Sequence, residues 1–226
     1  TEMRARTTDL NGLQVRTLNS IALAIINGTP PFAPQPRRWN TIDEPAVRRV
    51  LQRFVATPRR RNTDPLAPWI EALDTVRVAL RAPQQVEEDR DDVPGLADVL
   101  TAYRGRLATL GAVDFTEMVY AAVELLLTDP DARHAEQAVV GQVLVDEFQD
   151  LTPLYLLLIR LVASPGLQVF GVGDDDQVIY GHAGATPEFL LGYRDLFPGA
   201  EDHPLTVNYR CPPRIVEAAA TLLGHN

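Results

Sequence analysis

The residues of this sequence best suited to chemistry are two adjacent carboxylates, Asp146 and Glu147, which directly follow an apolar run. A nucleotide hydrolase uses such a pair: one carboxylate holds magnesium through water, and the next polarises the attacking water. Asp146 would then be the metal-side residue and Glu147 the general base. The alternative is structural, because carboxylates also favour the start of a helix, where they accept hydrogen bonds from free backbone amides. The pair alone leaves both interpretations open.

The neighbouring segments predict the elements that would position this pair. Residues 139–145 are β-branched and nearly all apolar, as is typical of a parallel strand covered on both faces. A helix over 153–162, a turn and a second strand over 167–172 follow, and this second strand ends in the polar run 173–177. Both predicted strands therefore deliver polar residues at their carboxyl ends.

Two further strand-like stretches lie near the ends of the sequence. Residues 14–18 lead through a turn into an apolar, helix-like run, and residues 205–207 lead into Asn208-Tyr209-Arg210. Strands that alternate with helices and end in polar groups predict an α/β fold with a doubly wound parallel sheet, whose ligands bind at the carboxyl edge.

The pattern between these α/β segments is different. Prolines at 30, 31, 34 and 36 interrupt regular structure. Apolar residues then recur at three- and four-residue spacing from 43 to 110, which predicts a small helical domain. We therefore predict a small all-helical unit between the two α/β segments.

Composition limits the class of protein. The chain has 226 residues, a single cysteine, no lysine and a net charge of -9. No apolar run approaches the ~20 residues that cross a bilayer, and the first residues lack the features of an export signal. We expect a cytoplasmic protein without a membrane span. The negative charge by itself weighs against nucleic-acid binding, which usually uses a basic surface.

Longer motifs change that balance. Val145-Asp146-Glu147-Phe148-Gln149-Asp150 resembles motif II of the UvrD/Rep/PcrA helicases, a family of DNA motors. Residues 173–185 are similar to motif III of that family (GDxxQxIYxxRGA), and 205–211 to motif IV, with its NYR core. Thr17-Leu18-Asn19-Ser20 fits motif Ia, Asp114-Phe115 a further landmark, and residues 1–6 the EMR segment upstream. The motifs occur in the family's order across essentially the whole chain.

The resemblance implies a RecA-like, P-loop NTPase type of sheet and an ATP-dependent helicase that uses Mg²⁺ and moves on single-stranded DNA, including single/double-strand junctions. It implies a direction of 3′ to 5′. It also implies a first motor domain in two parts, 1–29 and 112–200, with an all-helical insert over 30–111 and the start of a second motor domain over 201–226. It further implies that Gln177 senses the γ-phosphate, that Arg210 neutralises charge on it, and that Gln149 lies at the nucleotide, while Asp146 holds Mg²⁺ through water. The DNA contacts it implies are Thr17, Ser20, Tyr180 and His182.

The sequence departs from the family pattern in places that leave alternatives open. Leu18 and Asn19 replace an aromatic residue and a histidine in motif Ia, while His182 and Ala183 replace an aromatic residue and an arginine in motif III. A phosphate-binding GxxxxGK[ST] loop needs a lysine, and this chain has none. We therefore expect an internal segment of a longer motor that is inactive on its own. The alternatives are a subunit of a RecB/AddA-like helicase–nuclease and a DNA-binding module with a disabled motor.

Overall fold

The computed structural model describes residues 12–56, 64–164, 166, 169–178, 181 and 184–224. In chain order the elements are α1 (Leu18–Ile26), β1 (Asn40–Thr41), α2 (Glu44–Leu51), α3 (Ala67–Val78), α4 (Pro83–Glu88), α5 (Leu96–Leu110), β2 (Ala112–Val113), α6 (Phe115–Thr128), α7 (Pro130–Val139), β3 (Val143–Val145), α8 (Pro153–Val162), β4 (Val169–Gly171), α9 (Glu188–Leu191), α10 (Tyr193–Leu196) and α11 (Pro213–Leu223). Short 3-10 turns span Phe148–Asp150 and Asp175–Gln177.

Helices α2 to α5 surround a hydrophobic core of their own. Its fully buried members include Leu51, Leu73, Leu96, Tyr103 and Leu107. The predicted helical character of residues 43–110 is therefore confirmed for the described part of that range.

A second core lies between α1, α6 and α8, and a third lies between α8 and the strands β3 and β4. Helix α8 contributes to both: Leu154 and Leu158 face the second core, while Leu156 and Ile159 face the third. Burial on two sides explains why this helix is almost wholly apolar. Its start is set by Thr152, whose hydroxyl accepts from the backbone amide of Tyr155 in a long contact of 3.5 Å, and by a proline in the first turn.

The described strands form two separate two-stranded parallel sheets. One pairs β1 with β2, and the other pairs β3 with β4 in the register Val143 to Val169, Leu144 to Phe170 and Val145 to Gly171. The β3–α8–β4 unit has the predicted order of strand, helix and parallel strand. The architecture is thus α/β and rich in helix, with short parallel pairings in place of one wide sheet among the described residues.

Part of the strand prediction was wrong. Helix α7 runs to Val139, so β3 begins only at Val143. The run Pro130-Asp131-Ala132-Arg133-His134-Ala135-Glu136-Gln137 contains good helix formers and is capped by Asp129, which outweighs the β preference of two valines. Nor is the strand pair covered on both faces by described residues, since Leu144 is 60% exposed and Phe170 50% exposed.

The two outer strand predictions were also wrong. Residues 14–17 carry no strand, and Thr17 instead caps α1. Residues 205–207 form no strand either, and Leu205 is 91% exposed because no described element packs on it. No described helix has the length and apolarity to cross a bilayer.

Helix α7 carries a buried carboxylate that yields a test of the fold. Glu136 is fully buried, and its Oε1 accepts a hydrogen bond from the backbone amide of Ala33 at 3.0 Å. Its Oε2 has no hydrogen-bond partner among the described residues. Burial raises the pKa of Glu136, and the Ala33 amide lowers it only in part. This side chain therefore holds a proton more tightly in the folded than in the unfolded chain.

We expect Glu136→Gln to flatten the pH dependence of the free energy of unfolding. A carboxylate with a raised folded pKa stabilises least above that pKa, so the unsubstituted chain loses stability as the pH rises from the ordinary glutamate value through the raised one. Urea unfolding at about pH 5 and about pH 8 measures this change. Glu88→Gln, at an exposed position of α4, is the control. An unaltered slope in Glu136→Gln would contradict the assignment.

Candidate active site

The ends of β3 and β4 place the acidic pair beside the predicted phosphate-sensing segment. The backbone amide of Val172 donates to the carbonyl of Val145, and the amide of Phe148 donates to the carbonyl of Val172, both at 2.8 Å. These bonds carry the pairing past the end of β3. Asp146 and Glu147 therefore lie next to the start of residues 173–177, and both carboxylates are exposed.

Glu147 has an unusual backbone conformation. Its φ of 53° and ψ of 50° lie in the left-handed region, which costs a non-glycine residue roughly 1–2 kcal/mol. The neighbouring residues hold it there, because Phe148 is fully buried and the amide of Asp150 donates to the carbonyl of Glu147 at 3.0 Å. The turn sends Phe148 into the core and leaves Glu147 exposed.

An aromatic cluster anchors this turn. The ring of Phe148 packs edge-on against Tyr193, with centroids 5.0 Å apart, and Tyr193 packs against Phe197 at 4.8 Å. Gly171 makes room for the cluster, since a Cβ there would lie 2.8 Å from atoms of both Phe148 and Tyr193. The position of the acidic pair thus depends on the packing of Phe148, Tyr193 and Phe197.

Gln149 joins the two loops. Its side chain is 1% exposed. Its Nε2 donates to Oε2 of Glu147 at 2.7 Å, and its Oε1 accepts from the backbone amide of Asp174 at 3.1 Å. Both ends of the amide are therefore engaged by the protein. The prediction from the sequence was that Gln149 lies at the nucleotide, and these two contacts were not predicted.

The second loop presents Gln177. Its amide nitrogen donates to Oδ2 of Asp174, whose Oδ1 accepts from the backbone amide of Asp176 at 3.2 Å. The structure therefore connects the predicted base and the predicted phosphate sensor through Gln149 and Asp174.

The site is strongly acidic. Asp146, Glu147, Asp150 and the run 174–176 lie on these two loops, and in the described part of the chain none of them forms an ion pair with an arginine. Burial raises the pKa of Asp150, and the charge of Glu147 raises it further. A site with this much negative charge is better suited to binding a divalent cation than to binding a polyphosphate without a cation.

The carboxylate of Asp146 suits magnesium, which prefers oxygen ligands and retains several waters. Among the described residues there is no group of three or more His, Cys, Asp or Glu side chains that could enclose a metal ion. A magnesium ion would therefore depend on Asp146, on water and on the phosphates of a bound nucleotide.

The motif Ia residues lie at the start of α1. The hydroxyl of Thr17 accepts from the Ser20 amide at 3.2 Å, and the Ser20 hydroxyl donates to the Thr17 carbonyl at 2.8 Å. Asn19 ties this turn to two other helices: Tyr155 donates to its Oδ1 at 2.7 Å, and its Nδ2 donates to the Phe115 carbonyl at 3.2 Å. The departure from the family pattern at Asn19 is thus a structural link between α1, α6 and α8.

Arg210 is exposed, and its backbone amide donates to Oδ1 of Asn208 at 2.9 Å. Among the described residues, no hydrogen bond or ion pair joins the Arg210 side chain to the two loops of the site. Helix α11 has no buried residue. Tyr180, His182 and Ala183 lie outside the described residues, as does the EMR segment. The roles of these residues stay predictions.

Comparison with known proteins finds helicases among the relatives of this chain. A family model described as UvrD/REP helicase N-terminal domain matches residues 1–198. The chain is 40% identical to DNA helicase II of Escherichia coli over 128 residues, which is 57% of the chain and 18% of that protein. It is 26% identical to the ATP-dependent DNA helicase PcrA of Staphylococcus epidermidis over 234 aligned residues, covering 100% of the chain and 32% of that protein. The chain therefore spans less than a third of the length of either relative.

Proposed function

Since the chain belongs to the family of UvrD/REP helicase N-terminal domains, we propose that it forms the nucleotide-hydrolysing part of an ATP-dependent DNA helicase or translocase. The observation that supports this most directly is the link from Glu147 through Gln149 and Asp174 to Gln177. It joins the predicted general base to the predicted phosphate sensor at the carboxyl ends of two parallel strands, where α/β nucleotide sites are found.

Each residue of the site has a distinct chemical role in this proposal. Glu147 accepts a proton from the attacking water. Asp146 orients the water shell of Mg²⁺, which when bound neutralises charge on the phosphates. Gln177 contacts the γ-phosphate, and Arg210 approaches it from a second motor domain as a guanidinium fork matched to phosphate oxygens. Gln149 acts on the nucleotide through Glu147.

The same proposal covers the domain organisation. Residues 1–29 and 112–200 form a RecA-like motor domain whose sheet is wider than the two described strand pairs. Residues 30–111 are its helical insert, and 201–226 begin the second motor domain. The exposed α11 and the exposed apolar face of β3 and β4 are consistent with packing against further parts of a motor.

Charge is distributed in a way that suits this division. Residues 112–200 hold 14 of the 30 acidic residues and 3 of the 21 arginines, whereas residues 30–111 hold 13 arginines and 11 acidic residues. The excess of acidic residues therefore lies in 112–200, the part with the proposed nucleotide site. The net charge of -9 does not oppose contact of other surfaces with DNA phosphates.

For DNA, we propose that Thr17 and Ser20 contact the backbone of a single strand and that Tyr180 and His182 contact its bases. Backbone contacts position a strand without reading its sequence, and an aromatic face stacks on any base. A preference for single/double-strand junctions, movement from 3′ to 5′ and a cytoplasmic location stay predictions from the sequence.

We expect Tyr180→Ala to weaken binding of single-stranded DNA, because loss of one aromatic stacking contact costs roughly 1–3 kcal/mol. The measurement is fluorescence anisotropy with a short labelled oligonucleotide at fixed salt. The variant Tyr120→Ala, which removes a partly buried tyrosine of α6, is the control. Binding by Tyr180→Ala as tight as that of the unsubstituted protein would remove Tyr180 from the DNA site.

The 226 residues alone should show negligible DNA-stimulated ATP hydrolysis, because they contain no lysine and hence no GxxxxGK[ST] loop. Phosphate release with and without single-stranded DNA measures this. Robust turnover in a clean preparation would show that the chain binds phosphates by other means. Hydrolysis experiments therefore use the parent protein, meaning the polypeptide that joins these residues to such a loop and to a complete second motor domain.

The alternative functions predict other outcomes. A RecB/AddA-like subunit would carry a nuclease domain in the parent protein, whereas the relatives named above are helicases. A DNA-binding module with a disabled motor, suggested by Leu18 and Ala183, would bind DNA without hydrolysing ATP. The linked Glu147 and Gln177 favour the motor, because a module that only binds DNA has no chemical use for either residue.

A further inference from the structure

Gln149 is a buried amide that the chemistry of ATP hydrolysis does not itself require. From its contacts we infer that Gln149 is a positioning residue, which holds the carboxylate of Glu147 and ties its place to the segment that carries Gln177. This inference deepens the proposed function and rests on it.

The first observation is the completeness of the contacts. The amide donates to Glu147 at 2.7 Å and accepts from Asp174 at 3.1 Å. At 1% exposure it has almost no access to solvent, so water cannot replace either partner without rearrangement. An amide has both a donor and an acceptor at one end of a side chain, and few other side chains could make both contacts.

The second observation is the space left for the amide. A Cβ on Gly173 would lie 2.7 Å from Oε1 of Gln149 and 3.2 Å from its backbone nitrogen. Any side chain at 173 would therefore push the amide away from Asp174. Glycine at this position keeps the two loops in contact.

The third observation is where the contacts lead. Asp174 holds the amide nitrogen of Gln177 through its Oδ2, and its own backbone amide bonds Gln149. A shift of the segment 174–177 when Gln177 engages a phosphate would therefore be passed to Glu147 through the buried Gln149 side chain. Gln149 thus couples phosphate sensing to the placement of the base.

The test compares variants of the parent protein by kcat, by the KM for ATP and by equilibrium ATP binding. Gln149→Met keeps the length of the side chain and removes both hydrogen bonds. We expect kcat to fall on the order of 100-fold, as for a misplaced catalytic group, with little change in ATP binding. Gln149→Glu keeps an acceptor for Asp174 but cannot donate to Glu147 in its charged form, so it should lose as much of kcat as Gln149→Met.

A second variant displaces the amide without removing it. Gly173→Ala should lower kcat in the unsubstituted background and less in a Gln149→Ala background, where Oε1, the nearest of the obstructing atoms, is absent while the backbone nitrogen of residue 149 remains. The control is Gln137→Met, which removes a comparable contact, from Gln137 Nε2 to the Leu161 carbonyl at 2.9 Å, away from the site. Gln137→Met should leave kcat unchanged.

The possible results distinguish a failure of the proposed function from a failure of the inference about Gln149. Absence of hydrolysis by the unsubstituted parent protein would overturn the proposed function and this inference with it. Hydrolysis by the unsubstituted protein together with an unchanged kcat in Gln149→Met would overturn the inference alone. A loss of ATP binding in parallel with kcat in all the Gln149 and Gly173 variants would assign Gln149 a purely structural role and would also overturn it.

Discussion

Glu147→Gln is expected to abolish ATP hydrolysis by the parent protein while leaving ATP binding intact. The variant keeps the shape of the side chain, and its amide oxygen can still accept the hydrogen bond that Gln149 donates to Glu147 at 2.7 Å. It cannot take up a proton from water, and loss of a general base costs about 10²–10⁴-fold in rate. Single-turnover hydrolysis and equilibrium binding of ATP measure the two properties separately.

The same two measurements on Glu88→Gln, an exposed position of α4, provide the control for loss of one negative charge. Loss of ATP binding in Glu147→Gln would mean that the residue supports the loop and is not the base. The left-handed backbone at Glu147 makes this distinction necessary, since a change there can also disturb the turn that buries Phe148.

Features of the site that depend on residues close together in the sequence could be predicted. Thr152 and Pro153 mark the first turn of α8, and the acidic pair follows an apolar strand, so the order β3, α8, β4 could be inferred from neighbouring residues. The extent of the strand could not, because Val139 and Val140 favour strands while the residues before them favour a helix that reaches Val139.

Contacts between distant residues were not predictable from pattern. Gln149 and Asp174 are 25 positions apart, and only the packing of β3 beside β4 brings them together. Arg77 and Asp114 are 37 positions apart, one in a helix with an ordinary amphipathic pattern and the other at the cap of α6. The sequence marks Asp114 as a landmark of the family but gives no reason to pair it with Arg77.

That pairing joins the helical insert to α6. Nη1 of Arg77 contacts Asp114 at 2.9 Å and Glu117 at 3.2 Å, and Nη2 contacts Asp74 at 2.9 Å. The hydroxyl of Tyr103 donates to Asp114 at 2.6 Å. Burial alone would raise the pKa of Asp114, but the charge of Arg77 and the bonds from Tyr103 and the Glu117 amide bring it below its usual value.

Arg77→Met is therefore expected to lower the free energy of unfolding of the 226-residue chain by about 3–5 kcal/mol, the typical cost of removing one partner from a buried ion pair. Arg77 is 3% exposed, while Asp114 and Glu117 are 6% and 5% exposed, so the carboxylates left behind cannot regain full hydration. Arg48→Met is the matched control. Arg48 contacts Glu44 and Asp64 at the surface, and loss of such pairs costs about 0–1 kcal/mol.

The difference between Arg77→Met and the unsubstituted chain should also depend on pH. With Arg77 present, the lowered pKa of Asp114 contributes stability above its ordinary pKa, and that stability is lost as the pH falls through the lowered value. Without Arg77, burial raises that pKa, so protonation relieves the unpaired charge. Urea unfolding should therefore show a larger loss of stability at about pH 7 than at about pH 4. A loss that is equal at both values, or no larger than that of Arg48→Met, would mean that packing and not charge holds the insert against α6.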